Sequence, residues 1–205
     1  MAVLAEQPPE VAEVLLQRAT EVGASVVREG SEFGVVSRVP AVGGQLVSLQ
    51  GLRATYDDVF LPLYGAHQAQ NAAVALAAVE SFIGAQPLDA EIVRAAFADV
   101  TSPARLEIIR RSPTIVLDAA HNPHGAEATA AALQDSFTFS PLIGVMGVMA
   151  DKDAEGVLAA FEPLRRHGPG RRVLGADQVG QVRLEGGQHA LGVLVGHHPH
   201  HADER

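Results

Sequence analysis

The residues best suited to chemistry stand together in the segment Asp118-Ala-Ala-His121-Asn122-Pro123-His124-Gly125. This segment follows the apolar run Thr114–Leu117 and precedes a helical pattern, so it lies where a strand ends and a helix begins. Asn122 suits the N-cap of that helix and Pro123 its first position, which places His121 beside free backbone N–H groups. The carboxyl ends of strands in open α/β sheets border ligand sites, and a helix N-terminus attracts anions. The pattern therefore favours a site for a carboxylate or a phosphate.

The same segment also allows a purely structural interpretation of equal weight. Asp118 and Asn122 would then only close the turn, and His121 would be a solvated loop residue. A hydrolase that uses Asp118 and His121 as a pair is a further hypothesis. We rank it lowest, because neither serine nor cysteine stands nearby as a nucleophile.

A second polar segment, Ser102-Pro-Ala-Arg105-Leu-Glu107, follows a predicted domain junction. An arginine on such a linker can reach a nucleotide phosphate while the linker flexes. The alternative, favoured by position alone, is an Arg105–Glu107 pair on the face of a strand.

Two more segments place polar groups next to regular elements. Asn71 is predicted to lie in the first turn of a buried, alanine-rich helix over 72–83, where it needs a backbone or ligand partner, and His67 is predicted to be an ordinary boundary histidine. The loop that contains Asp151 and Lys152 follows another predicted strand. Its structural interpretation is that Asp153 caps the next helix and Lys152, the only lysine of the chain, is solvated.

The elements that must hold these segments are of mixed type. Apolar spacing predicts a helix from Pro9 to near Gly23, then strands and turns over 25–63, then two helices, the second opened by Asp89. From residue 114 the order is strand, helix, strand, helix, which predicts parallel strands and hence an α/β domain. Beyond residue 166 the pattern fails, and we expect an irregular, His-rich tail over 167–205.

Composition excludes several classes of protein. The 205 residues carry 24 acidic and 15 basic side chains, and a net charge of −9 disfavours binding to nucleic acid. No apolar run is long enough to span a membrane, and no signal sequence is recognisable. The chain contains no cysteine, which fits a cytoplasmic location.

Taken in order, four segments resemble the folylpolyglutamate synthase/dihydrofolate synthase family of Mur-ligase-like, ATP-dependent enzymes. The resembling segments are Leu61-Pro-Leu-Tyr-Gly-Ala-His-Gln-Ala-Gln-Asn71-Ala, Ser102-Pro-Ala-Arg-Leu-Glu107, Asp118-Ala-Ala-His-Asn-Pro123 and Met149-Ala-Asp-Lys-Asp153. The resemblance covers about Ala5 to Arg165. It implies the back part of a central ATP-binding domain over 1–100 and an incomplete C-terminal ligase domain with a mostly parallel sheet over 101–166.

The resemblance also implies roles for particular residues. Asn71, Arg105 and Asp118 would help to hold ATP, and His121 would lie near the incoming glutamate or the reacting carboxylate. The implied reaction is phosphorylation of a folate or dihydropteroate carboxylate by ATP with Mg²⁺, followed by attack of the glutamate amine on the acyl phosphate. Asp151 and Lys152 remain further loop candidates.

One feature of the family has no counterpart in these 205 residues. They contain no G-x-x-x-x-G-K-[ST] phosphate loop, and Lys152 stands elsewhere. We therefore expect a fragment of a ligase, without its magnesium ligands and nearly inactive alone. The rival hypothesis is a non-catalytic nucleotide-binding module that pairs with a separate N-terminal chain. The cluster His197-His198-Pro199-His200-His201 is not expected to be a functional metal site, because a flexible run lacks fixed geometry.

Overall fold

The computed structural model describes residues 1–138, 142–149, 151–166 and 192–196. The chain divides into two compact units, Met1–Thr101 and a second that begins at Ser102, and each is described by itself. The α/β class predicted from the sequence is confirmed, because both units combine helices and strands. Within the described ranges no helix has the length and apolar character needed to cross a membrane.

The first unit opens with a strand, a helix and a parallel strand: β1 (Ala2–Leu4), α1 (Pro9–Glu21) and β2 (Val26–Arg28). Pro9 occupies the first helical position, where its missing N–H costs nothing, and Glu10 lies in the first turn. The parallel strands β1 and β2 are thus connected through a short helix, as a parallel pair requires, and this helix begins where the sequence predicts it.

Three antiparallel strands follow: β3 (Gly34–Ala41), β4 (Gly44–Gln50) and β5 (Thr55–Leu61). Buried and exposed side chains alternate along β4, where Gln45, Val47 and Leu49 are buried and Leu46 and Gln50 are exposed. This period of two places one face of the sheet against the helices of the unit and leaves the other to solvent.

Two helices complete the first unit, α2 (Ala66–Ile83) and α3 (Ala90–Ala98). α2 buries a face of small residues that includes Ala69, Ala73 and Ala77, so it can pack closely. The sequence predicts burial nearly all round, but Phe82 is 92% exposed because only one side of the helix meets the sheet. Asp89 caps α3 as predicted, and its Oδ1 accepts from the N–H groups of the second and third helical residues.

A buried carboxylate ties this unit together. Glu80 on α2 is 1% exposed, and its Oε1 accepts the hydroxyl hydrogen of Tyr56 at 2.7 Å, while its Oε2 accepts from the backbone N–H of Leu52. The Tyr56 oxygen in turn accepts from the N–H of Leu88 at 2.9 Å. Burial, together with the hydrogen bond to Glu80, raises the pKa of Tyr56 above its usual 10.0. Gly51 lies against the Glu80 carboxylate, so close that a β-carbon would have no room.

The described part of the second unit contains four strands in the order β6-β7-β9-β8 and three helices. Their bounds are β6 (Glu107–Arg111), β7 (Thr114–Asp118), α4 (Pro123–Ser136), β8 (Leu142–Met146), α5 (Ala154–Ala160), α6 (Glu162–Arg166) and β9 (Gly192–Gly196). α5 and α6 pack against α4. Buried apolar side chains from strands and helices, among them Val116, Leu133 and Phe161, form the core.

This sheet differs from the mostly parallel sheet that the sequence predicts. β7 and β8 run in the same direction, as a strand–helix–strand order requires, but β9 lies between them and pairs antiparallel with both. β6 is antiparallel to β7 as well. β9 falls within the tail predicted to be irregular, whereas the histidine cluster 197–201 lies outside the described residues.

Replacing Tyr56 by Phe tests the buried carboxylate. The change deprives Glu80 and the Leu88 N–H of a partner, so we expect the free energy of unfolding to fall by about 1–3 kcal/mol. A raised pKa means that the folded state holds the hydroxyl proton more tightly than the unfolded chain. The contribution of Tyr56 to the free energy of unfolding is therefore fully present below the pKa that the tyrosine has in the unfolded chain. It is lost as the pH rises through the pKa in the folded protein.

Urea unfolding of the full chain, followed on both sides of pH 10, measures both effects. The parent protein should lose stability above pH 10 more steeply than Tyr56→Phe. Identical slopes in the two proteins would mean that Tyr56 does not carry this pH dependence.

Candidate functional site

The carboxylate of Asp118, at the end of β7, is the centre of the polar structure in the second unit. It is 6% exposed and accepts three hydrogen bonds. Oδ2 accepts from the N–H of Leu106 at 3.0 Å, and Oδ1 accepts from the N–H of Ala120 at 2.9 Å and the hydroxyl of Thr129 at 2.8 Å. Three of about four acceptor positions are thus taken by donors from three segments of the chain.

The turn after Asp118 opens α4 as the sequence predicts. Asn122 is the N-cap, its Oδ1 accepts from the N–H of Gly125 at 2.7 Å, and Pro123 occupies the first turn. His121 is exposed beside this helix start, and its Nδ1 lies 3.2 Å from the carbonyl oxygen of Ala119. Asp118 and Asn122 do close the turn, while the imidazole remains accessible at the positive end of the helix.

The segment that contains Arg105 is an unusual loop held against the end of β7. Two residues without a glycine's freedom have positive φ, Ala104 at 55° and Leu106 at 49°, and they flank Arg105 on both sides. The N–H of Ala104 donates to Oε2 of Glu107 at 2.9 Å, and the carbonyl oxygen of Ala104 accepts from the N–H of Ala119 at 2.8 Å. Arg105 is exposed and precedes β6, so it does not lie on a strand face.

In the first unit, Asn71 lies elsewhere on its helix than predicted. α2 begins at Ala66, so Asn71 is in the second turn, not the first, and its side chain is exposed. Its Nδ2 donates to Oε1 of Gln68 at 3.3 Å. Because solvent reaches the side chain, Asn71 has no desolvation cost that would demand a partner. His67, at the start of the same helix, is half-buried.

The loop after β8 follows the structural interpretation for Asp153. This residue caps α5, and its Oδ1 accepts from the N–H of Gly156 at 2.8 Å. Lys152 forms an ion pair with Asp151, with 3.2 Å between Nζ and Oδ2, and both side chains are partly exposed. The pair is a surface pair, which contributes little to stability.

Two positioning residues are absent from the sequence-based prediction. Thr129 is buried on α4 and bonds Asp118, and it stands out as a polar residue on a face of alanines. Gln45 is 1% exposed, and its Nε2 donates to the carbonyl oxygens of Leu63 at 2.8 Å and Gly65 at 3.0 Å, which fixes the chain just before α2. Its polar character at a buried strand position was the available signal.

Within the second unit the structure therefore brings the Arg105 loop and the Asp118 turn together by two hydrogen bonds. Asn71 belongs to the first unit, so its joint action with Arg105 and Asp118 stays a prediction. Asp118, Ala120 and Thr129 also line a small crevice with Met146 at the ends of β7 and β8. In the described part of the chain no group of three or more His, Asp or Glu side chains is arranged to hold a metal ion.

The chain is similar in sequence to proteins of known family. Residues 104–168 match the family model described as Mur ligase, glutamate ligase domain. Dihydrofolate synthase/folylpolyglutamate synthase of Mycobacterium tuberculosis is 54% identical over 167 residues, which are 80% of this chain and 34% of that protein. Folylpolyglutamate synthase of Lacticaseibacillus casei is 31% identical over 159 residues, 75% of this chain and 37% of that protein. The chain thus spans about a third of the length of these relatives.

Solved structures of folylpolyglutamate synthases are also similar to this chain. The structure of Mycobacterium tuberculosis folylpolyglutamate synthase complexed with ADP matches with a TM-score of 0.74 and 52% identity over 80% of this chain and 36% of that one. A folylpolyglutamate synthase–AMPPCP–folate complex matches with a TM-score of 0.67 and 30% identity, over 78% of this chain and 40% of that one. The resemblance to the folylpolyglutamate synthase/dihydrofolate synthase family is confirmed. The Mur ligase match begins within the Arg105 loop and includes Asp118, His121 and Lys152.

The cap of α4 in this Mur ligase segment gives a direct test of the turn. Asn122→Ala removes the acceptor for the Gly125 N–H, so we expect the second unit to lose about 1 kcal/mol of stability. Asn122→Asp is the matched control, since it keeps an acceptor and adds a negative charge at the helix start. Hydrogen exchange of the Gly125 amide and thermal unfolding measure the difference, and equal behaviour of the two variants would exclude a capping role.

Proposed function

We propose that this chain is the C-terminal part of an ATP-dependent folate polyglutamate ligase. In this proposal Asn71, Arg105 and Asp118 form its share of the nucleotide site, and His121 lies near the incoming glutamate or the reacting carboxylate. The observation that carries the proposal is the attachment of the Arg105 loop to the end of β7 by the Asp118 carboxylate. The ADP and AMPPCP complexes of the similar enzymes support it.

Charge and exposure make this strand end suitable for an anionic ligand. The Arg105 guanidinium is exposed, and a guanidinium matches the oxygen geometry of a phosphate. Close along the chain, the capped start of α4 offers its positive end beside the exposed His121. Both features attract a phosphate or a carboxylate, and they lie on segments joined by hydrogen bonds.

The reaction proposed for the whole enzyme has two steps. ATP phosphorylates a carboxylate of a reduced folate or of dihydropteroate, releasing ADP, and the glutamate amine then displaces phosphate to form an amide. Negative charge accumulates on the phosphoryl oxygens and then on the tetrahedral oxygen, so fixed cations and helix ends lower the barrier. Arg105 and His121 would help to stabilise these negative charges.

Magnesium is the family's expected cofactor, but the described residues do not fit it. They contain no cluster of acidic and histidine side chains suited to a metal, and Asp118 already accepts three protein hydrogen bonds. We therefore assign no magnesium ligand among the described residues.

The cytoplasmic location predicted from composition stays a prediction.

A specific observation favours the second candidate, a nucleotide-binding module that pairs with a separate N-terminal chain. Exposed apolar side chains lie along one end of α2, namely Val79, Phe82 and Ile83, and Val14 on α1 is exposed as well. Apolar groups in such a patch are common where a partner binds. Mixing the chain with a separate polypeptide that carries a phosphate loop, and recovering both in one complex, would support this function.

The chain alone should be inactive as a ligase. The 205 residues contain no phosphate-loop lysine, and Lys152 is paired with Asp151. Phosphoryl transfer thus lacks its main electrostatic support. Incubating the purified chain with ATP, Mg²⁺, a reduced folate and glutamate should give no glutamylated product by mass spectrometry. Robust product formation would refute the proposal that the chain alone is inactive.

Nucleotide binding should depend on Arg105. Arg105→Ala should weaken binding of the fluorescent nucleotide mant-ADP by about tenfold or more, since a charge-assisted hydrogen bond is lost. Arg111→Ala is the matched control, because it removes another exposed arginine from the same unit. Fluorescence titration gives both dissociation constants. An equal loss of affinity in the two variants would mean that only net charge matters and that Arg105 does not belong to the nucleotide site.

A further inference from the structure

We infer that Glu107 is a positioning residue that, together with Asp118, holds the Arg105 loop in its binding shape, and that Glu107 acts through Arg105. The identity of the ligand as a nucleotide rests on the proposed function. The clamp, by which we mean the carboxylates of Glu107 and Asp118 that bond the Arg105 loop, is defined by this chain's own contacts. A role is thereby assigned to Glu107, and control of the loop is added to the role proposed for Asp118.

The loop needs a clamp because its backbone is strained. Ala104 and Leu106 both have φ near 50°, at 55° and 49°, where a β-carbon crowds the following carbonyl. Such residues persist only where the surroundings fix them, and they cluster at sites of function. Here they lie immediately before and after Arg105, so they set the direction in which its side chain leaves the backbone.

Two carboxylates supply the fixing contacts. Glu107 Oε2 accepts from the N–H of Ala104 at 2.9 Å, and Asp118 Oδ2 accepts from the N–H of Leu106 at 3.0 Å. Each strained residue therefore has its own anchor. The Ala119 N–H bonds the Ala104 carbonyl oxygen at 2.8 Å, and the Leu106 side chain is 1% exposed, which secures the loop to the body of the unit.

The consequence is an exposed arginine on a fixed backbone. A side chain held in this way loses less conformational freedom when it binds a ligand, which raises affinity without a new contact. Glu107 bonds the Ala104 amide and has no proposed contact with the nucleotide. Its effect on nucleotide affinity should therefore disappear when Arg105 is absent.

A double-mutant cycle with mant-ADP and the full chain tests this dependence. Glu107→Ala should weaken binding by about three- to tenfold, whereas Glu107→Gln, which keeps an acceptor for the Ala104 N–H, should bind like the parent. In the Arg105→Ala background, Glu107→Ala should change the dissociation constant by less than about twofold. A full effect of Glu107→Ala in that background would overturn the inference, because Glu107 would then act on the nucleotide without Arg105.

Backbone hydrogen exchange provides a readout that does not depend on the nucleotide. Glu107→Ala should abolish the protection of the Ala104 amide, and Glu107→Gln should retain it. Asp118→Asn leaves only one acceptor oxygen, so the Leu106 or the Ala120 amide should lose protection. Unchanged protection in both Glu107→Ala and Asp118→Asn would refute the clamp, whereas absence of mant-ADP binding by the parent protein would refute the proposed function alone.

Discussion

A buried carboxylate at the end of a strand imposes the arrangement of the second unit. An acceptor with this little solvent exposure is costly unless donors reach it, and Asp118 is reached by Leu106, Ala120 and Thr129. These donors belong to the loop before β6, the turn after β7 and the middle of α4. One side chain therefore fixes three segments at once, and two of them present the exposed groups Arg105 and His121.

The first unit uses the same physical device in a different place. Glu80 binds the Leu52 N–H and the Tyr56 hydroxyl, and Gln45 binds the carbonyl oxygens just before α2. In each case a buried polar side chain on a helix or strand provides a hydrogen-bond partner for backbone groups of a neighbouring loop or turn, which have no partner in secondary structure. The loops are thereby held without a large apolar cover, which leaves their outer side chains accessible.

The sequence predicted those features that depend on near neighbours. The caps Asp89, Asn122 and Asp153 and the order of the elements follow from residues within a few positions of each other. The Leu106, Thr129 and Gln45 contacts join residues 11 to 20 positions apart, and no local pattern specifies them.

The position of β9 between β7 and β8 is likewise a long-range pairing. The prediction of a mostly parallel sheet was therefore wrong, although β7 and β8 do run in the same direction as predicted. For Asn71, the helix began earlier than its alanine-rich part indicated.

Under the proposed function, two separate tasks of a phosphoryl transfer would explain why an arginine on a clamped loop is useful in a segment without a phosphate loop. Neutralising the β- and γ-phosphates requires a lysine and a metal close to the transferred group. Orienting the nucleotide requires only that a few donors be fixed at a distance from it, because misplacement by an ångström lowers the rate strongly. Arg105 and the start of α4 are suited to orientation: each is accessible, and each is fixed by hydrogen bonds to Asp118 or Asn122. Under the proposed function, this segment would therefore contribute rigidity rather than total charge.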